Sequence, residues 1–344
     1  MDEQGEKRMN TTSWLLVLSL VCVQDYQRPF DAPIPLPHLE KPETIVLNDD
    51  YMAVVDGTSI KLFDGSTFQF IRTIGRDGQG PGEFQDFASP QLLPDHILIS
   101  STNKVSHFSY DGELIKEIKH DLVASTVLEI KDKYVAFIVI RPEDQSGDFQ
   151  LAYNLYDSNM RKVRELHRGE WILKKNRRRG FFEIFFYDTC QDKIVMAHRQ
   201  GFVIKILDAE GNVLHTIEPE FQPIPFTNTD KERVITYWRE DRGYNREQVE
   251  WLEKRTDFPD HYPPLLTGRV DGGKIYAVTY RQEEGRRECL VYDLNGRYIK
   301  RTWLALVMAA PNFAGPFDIR GEIFYQLTYD EKGAVWELHR HAIE

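Results

Sequence analysis

Ile74-Gly75-Arg76-Asp77-Gly78-Gln79-Gly80-Pro81-Gly82-Glu83-Phe84-Gln85 is the stretch on which the reading of this chain turns. Four glycines and one proline fall between Gly75 and Gly82. Glycine loses the most entropy when held in a helix or strand, and proline brings no amide donor, so the run is a shaped loop. Phe68-Gln69-Phe70-Ile71-Arg72-Thr73-Ile74 ahead of it alternates as a strand does, and Phe87-Ala88-Ser89-Pro90 opens a second strand-rich block. No Lys-Ser/Thr pair follows to open a helix, so the loop is a connector and not a phosphate cradle.

Working outward, one signature recurs: an alternating strand, an Asp, a turn and another strand. Its copies are Ile60–Gly65, Phe108–Gly112, Asn154–Ser158, Lys205–Gly211 and Leu290–Gly296, built on Asp64, Asp111, Asp157, Asp208 and Asp293. An Asp side chain at such a turn accepts backbone amides, and a following Gly or Asn takes positive φ. These five are therefore read as turn residues and not as a catalytic set. Their spacing is 47, 46, 51 and then 85 residues, and a further 47 reaches Arg340 beside the strand-like Val335–His339. A period in the forties with short strands is the signature of a propeller, here with six units.

An alternating strand, a glycine-rich loop and an apolar residue ahead of a proline also link successive blades in NHL-repeat propellers. On these residues the chain resembles the NHL-like six-bladed β-propeller family, in particular its bacterial exported members. The fold expected is therefore all-β, a six-bladed propeller over residues 44–344. The 85-residue interval holds a helical insertion at about 226–262, between blades 4 and 5. Thr229-Asp230 is read as the cap of its first helix, and Asn245 with Gln248 as the capping box of its second. The last blade lacks a fourth strand, which the proline-rich segment 25–43 is expected to supply as linker and ring-closing strand.

Residues 1–24 read as targeting. Lys7 and Arg8 precede the ten-residue apolar run Trp14–Val23, the length of a signal-peptide core and too short to span a bilayer. Ser19-Leu20-Val21-Cys22 resembles a lipobox, with valine where a small residue is expected. A signal peptide or an N-terminal hydrophobic anchor is expected, and with it an extracytoplasmic location: periplasmic, secreted or lipid-anchored, with the N-terminus as the membrane tether. Cys22, Cys190 and Cys289 make no disulfide framework. A net charge of −11 argues against a nucleic-acid groove. The one basic run, Lys174–Arg179, lacks interleaved aromatics and reads as a solvated loop.

No GxSxG, HExxH, CxxC, Walker or EF-hand pattern occurs. The ten histidines are scattered, and His107 and His198 read as packed or solvated strand residues. No catalytic residue, metal site or cofactor is assigned. One recurrence stands out: Arg141, Arg199 and Arg281 end the second strands of blades 3, 4 and 5, and Asp56 and Asp330 fall at the equivalent place in others. At a channel mouth such a rim could hold a carboxylate, phosphate or acidic peptide through bidentate bonds. The expected role is a monomeric binding or scaffold module for a small anionic ligand or a protein or peptide. The alternative is a propeller enzyme of lyase or lactonase/hydrolase type using the channel mouth.

Overall fold

The computed structural model describes residues 32–344 apart from 86, 123, 141–148, 175–176, 180–185, 199–200 and 312. The targeting segment 1–24 lies outside the described residues, as do Arg141 and Arg199. β1 (Ile34–Pro35) precedes a first sheet of β2 (Pro42–Leu47), β3 (Tyr51–Asp56), β4 (Ser59–Asp64) and β5 (Phe70–Ile74). The second comprises β6 (Ser89–Leu92), β7 (Ile97–Ser101), β8 (Lys104–Phe108) and β9 (Leu114–Lys119). The third holds β10 (Ala124–Ile130), β11 (Lys133–Ile140), β12 (Phe149–Tyr156), β13 (Lys162–Lys174) and a short β14 (Arg177–Arg179). β15 (Phe186–Cys190), β16 (Lys193–His198), β17 (Val203–Asp208) and β18 (Val213–Ile217) form the fourth.

Next in the chain come α1 (Asn228–Glu240), α2 (Arg246–Arg255) and β19 (Thr256–Asp257), which pairs in parallel with β14. The fifth sheet is β20 (Leu265–Asp271), β21 (Lys274–Glu283), β22 (Arg286–Asp293) and β23 (Tyr298–Leu304). A small hairpin of β24 (Met308–Ala310) and β25 (Phe313–Ala314) leads to β26 (Phe317–Arg320), β27 (Ile323–Asp330) and β28 (Val335–Ala342). β1 adds antiparallel to β28, Ile34 opposite Leu338 and Pro35 opposite Glu337, so the last sheet draws its fourth strand from the start of the propeller.

The first strands of the sheets, β2, β6, β10, β15, β20 and β26, touch one another in a closed cycle. That cycle makes the chain an all-β, six-bladed propeller. Its core is divided among the boundaries between neighbouring blades. Ile60, Leu62 and Ile74 of the first sheet meet Ile97, Ile99 and Phe108 of the second; Met52, Val54 and Phe63 meet Tyr325, Leu327 and Leu338 of the sixth. Polar latches tie the inner strands around the axis. Gln91 Oε1 accepts the Glu129 amide at 2.6 Å, and Thr189 Oγ1 donates to the Glu129 carbonyl at 3.3 Å. Asp188 accepts the Val270 amide at 3.3 Å, and Arg269 donates to the Phe317 carbonyl at 2.8 Å. Asp318 accepts the Leu47 amide at 2.7 Å. Burial pushes the carboxyls of Asp188 and Asp318 up to about 7 and about 6, against the pull of these amides and of Arg269.

The glycine-rich run joins the first sheet to the second as a clamped loop. Gly75 has φ +73°, and a Cβ there would lie 2.1 Å from the buried Phe84 ring, so no other residue fits. Lys104 Nζ donates to the Gly80 carbonyl at 2.6 Å, and Glu117 Oε2 accepts the Gly82 amide at 3.0 Å. Lys104 and Glu117 themselves pair at 3.0 Å with side chains only 6% and 12% exposed.

Two expectations shift. α1 is capped by Thr227, not Thr229-Asp230, because Asp230 occupies the third helical position and bonds back to the Thr227 amide. The α2 box of Asn245 and Gln248 is as expected, and the two helices bury Val234, Trp238, Val249 and Leu252 against each other. The basic run expected as a loop contributes strand β14, because its backbone pairs with β13 and β19. Among the described residues no helix is long and apolar enough to cross a membrane, and Cys190 and Cys289 are both free thiols.

The turn aspartates divide as well. Asp157, Asp208 and Asp293 each accept the amides two and four residues on, at 2.8–2.9 Å. Asp64 accepts those of Ser66 and Thr67. In the second blade that place belongs to Ser109, whose hydroxyl accepts the Glu113 amide at 3.2 Å, while Asp111 faces Arg72 from the surface. The turn there starts two residues earlier than the Tyr-Asp pattern suggests. Asp208→Ala and Ser109→Ala are therefore expected to lower the melting temperature, and Asp111→Ala to leave it within error. Equal losses for Asp111→Ala and Asp208→Ala in thermal melts would refute this assignment.

Candidate functional site

A cleft of about 610 Å³ opens at the boundary of the second and third blades, a size suited to a small ligand. Three segments build it: the connection from β9 to β10, the facing residues of β11 and β12, and the start of β13. Leu122, Ile138 and Met160 give it apolar walls. Within them sit two polar groups. Asn154 lies on β12 opposite Ala136, 1% exposed, on the face whose neighbours Ala136 and Tyr156 are core residues. Its Nδ2 donates to the Tyr156 hydroxyl at 3.1 Å, and its Oδ1 has no partner among the described residues.

His120 follows β9 and is 8% exposed. Its amide donates to the Asn103 carbonyl at 2.9 Å, and its Nδ1 accepts the Leu122 amide at 3.3 Å. With Nδ1 an acceptor, the proton of the neutral ring sits on Nε2, which also has no partner among the described residues. Burial holds the imidazole below its ordinary range, so it is neutral at pH 7. Two residues of the lining thus carry a buried donor and a buried acceptor with no partner among the described residues, and buried polar groups are normally paired. Lys119, Asp121, Lys162 and Arg168 also line it, and Lys162 pairs with Glu165 at 3.2 Å. Arg168 is fixed by a two-pronged contact with Glu165, at 2.9 and 2.6 Å, which draws that carboxyl down to about 2. A small polar molecule that draws Asn154 and His120 slightly into the cleft could take one accepted and one donated hydrogen bond, and the three cations of the lining outnumber its carboxylate, Asp121.

The residues singled out at the channel mouth are placed as follows. Asp56 ends β3 and accepts the Glu40 and Lys41 amides at 3.1 and 2.5 Å, fastening the segment that leads into β2. Asp330 ends β27 and accepts the Lys332 and Gly333 amides at 3.1 and 2.8 Å. Arg281 lies in β21, 3.5 Å from the buried carboxylate of Glu288, which also takes the Thr279 hydroxyl and Arg301. Asp56 and Asp330 are therefore not brought together by the described contacts, and each is occupied by backbone near its own strand end. Sequence reasoning passed over Asn154 and His120. Asn154 had a signal, since it interrupts the apolar Leu151-Ala152-Tyr153-Asn154-Leu155-Tyr156 run. His120 had none, because its burial comes from blade packing.

A family model described as DUF5128, 6-bladed beta-propeller, matches residues 38–170. Two crystal structures share the fold. One is a Bacteroides fragilis protein whose name describes it as exported, with TM-score 0.55 and 10% identity over 91% of this chain and 95% of that one. The other, a member of the DUF4221 family from Bacteroides vulgatus, has TM-score 0.50 and 12% identity over 92% and 97%. At these identities the likeness concerns the fold alone. No curated protein matches the chain.

Proposed function

We propose that this propeller is an exported binding module whose ligand, a small organic acid carrying a hydroxyl or amide group, sits in the cleft between the second and third blades. The carrying observation is the pair of buried groups with no partner among the described residues, Asn154 Oδ1 and His120 Nε2, on residues that line a cavity with three cationic side chains and one carboxylate, Asp121. Export is supported by the apolar run behind Lys7 and Arg8 and by the exported name of the Bacteroides fragilis neighbour. The resemblance of the glycine-rich loop to those of NHL-like propellers supports a binding role. The anion preference expected at Arg141, Arg199 and Arg281, with Asp56 and Asp330, is here assigned to Lys119, with Lys162 and Arg168 both held by Glu165 beside it.

The test is a thermal-shift screen of hydroxy and sugar acids, followed by calorimetry on any that stabilise the protein. Asn154→Leu should weaken binding at least tenfold, the cost of one buried hydrogen bond of about 1.5 kcal/mol. Binding should weaken with salt, and Arg281→Ala should leave it unchanged. Loss of binding with Arg281→Ala, and retention with Asn154→Leu, would move the site to the channel mouth.

A further inference from the structure

We propose that His96, His107 and Glu129 form a binding site for one divalent first-row transition-metal ion, with zinc the ion that fits best. One nitrogen from each histidine and one Glu129 oxygen lie within 4.8 Å of one another. His96 Nε2 is 3.5 Å and His107 Nδ1 3.6 Å from the same oxygen, Glu129 Oε2. Ligand atoms around a tetrahedral zinc with bonds of about 2.1 Å stand about 3.4 Å apart. An octahedral ion with the same bonds would draw neighbouring ligands to about 3.0 Å. The two separations from Glu129 Oε2 lie near the tetrahedral value, and the two histidine nitrogens, within 4.8 Å of each other, would draw together on the ion.

The atoms facing one another are otherwise idle. His96 Nε2 and Glu129 Oε2 are buried and have no hydrogen-bond partner among the described residues. The far sides of both rings are held. His96 Nδ1 is 2.7 Å from Asp95 Oδ1, and His107 Nε2 is 3.0 Å from the Tyr134 hydroxyl. A carboxylate on the outer nitrogen keeps the proton there and turns the lone pair of Nε2 inward, the outer-shell arrangement that metal-binding histidines use. What remains is a lone pair opposed to a carboxylate oxygen, and a cation between them relieves that opposition.

The scaffold is rigid. His96 closes the β6–β7 hairpin, where its carbonyl accepts the Leu93 amide at 2.9 Å. His107 is on β8, 8% exposed. Glu129 is on β10, and its backbone is gripped on both sides by the Gln91 side chain. Three ligands thus come from two blades and leave a fourth position for water or a ligand. The His96 side chain is 15% exposed, so the site lies close under the surface.

The test uses tag-free protein stripped with chelator and titrated with Zn(II) and Co(II) by calorimetry and visible absorption. One equivalent should bind, Co(II) should give the intense bands of a four-coordinate site, and Zn(II) should raise the melting temperature. His96→Ala and Glu129→Gln should each weaken binding at least 100-fold and abolish the zinc-dependent rise in melting temperature. Asp95→Asn should weaken it about tenfold, and His215→Ala, an exposed residue on β18, should change nothing. His107 is too buried for its variant to decide the matter. Both deciding variants are to be checked for a native circular dichroism spectrum and a cooperative melt. The absence of saturable binding in wild type, or one-equivalent binding that survives in folded His96→Ala and Glu129→Gln, would overturn the proposal.

Discussion

Glu117→Ala is expected to destabilise the protein by about 3–5 kcal/mol, because it strands the buried Lys104 ammonium without its counter-charge. Lys104 would keep only the Gly80 carbonyl, and the Gly82 amide and the Ser106 hydroxyl would each lose the acceptor they share at 3.0 and 3.3 Å. The loss should be read from chemical denaturation, and proteolysis should cut first in the Gly75–Gly82 loop. Replacing both members with methionine and leucine should cost far less than either single change, since a buried pair owes much of its apparent strength to what is left when one partner goes. A Glu117→Ala protein as stable as wild type would show that solvent reaches Lys104. The pH dependence follows in sign. Burial raises the Glu117 carboxyl, but the Gly82 amide and Lys104 outweigh it and hold it below its ordinary value. The wild-type advantage over Glu117→Gln should thus be fully present above about pH 4.5, the ordinary range, and fade as pH falls through the depressed value.

Excising residues 32–41 should be at least as damaging. It removes β1, uncovers the edge of β28 and deletes Leu36 and Leu39, which are 2% and 7% exposed in the core between the first and last blades. Burying two leucines accounts for about 3–6 kcal/mol by itself. Asp56 would lose the Glu40 and Lys41 amides, and Trp336 the Glu40 carbonyl that its indole reaches at 3.2 Å. Leu36→Ala alone should cost about 2–5 kcal/mol. Thermal and proteolytic stability unchanged by the excision would mean that the ring holds without this strand.

Local chemistry made the repeat legible. Asp157, Asp208 and Asp293 mark their hairpins because the amides they accept lie two and four residues away. The reciprocal box of Asn245 and Gln248 is equally local. The second blade shows where the same pattern misleads. Tyr110-Asp111-Gly112 imitates the signature, but Tyr110 sends its hydroxyl to the Leu93 carbonyl at 2.6 Å, and Ser109 takes the turn. Only packing against the neighbouring hairpin settles that choice.

By itself, then, the amino-acid order determined the period, the strand alternation and the capping box of the second helix, all set by contacts a few residues apart. The sites were decided by the tertiary structure. His96 lies in a hairpin turn, His107 and Glu129 on strands of two blades, and Asn154 meets its cleft through residues about thirty positions earlier. Which side chains face one another across a blade boundary depends on the register and twist of two separate sheets. No spacing along the chain encodes that relation, because each sheet sets its own register and the ring brings them together only when it closes.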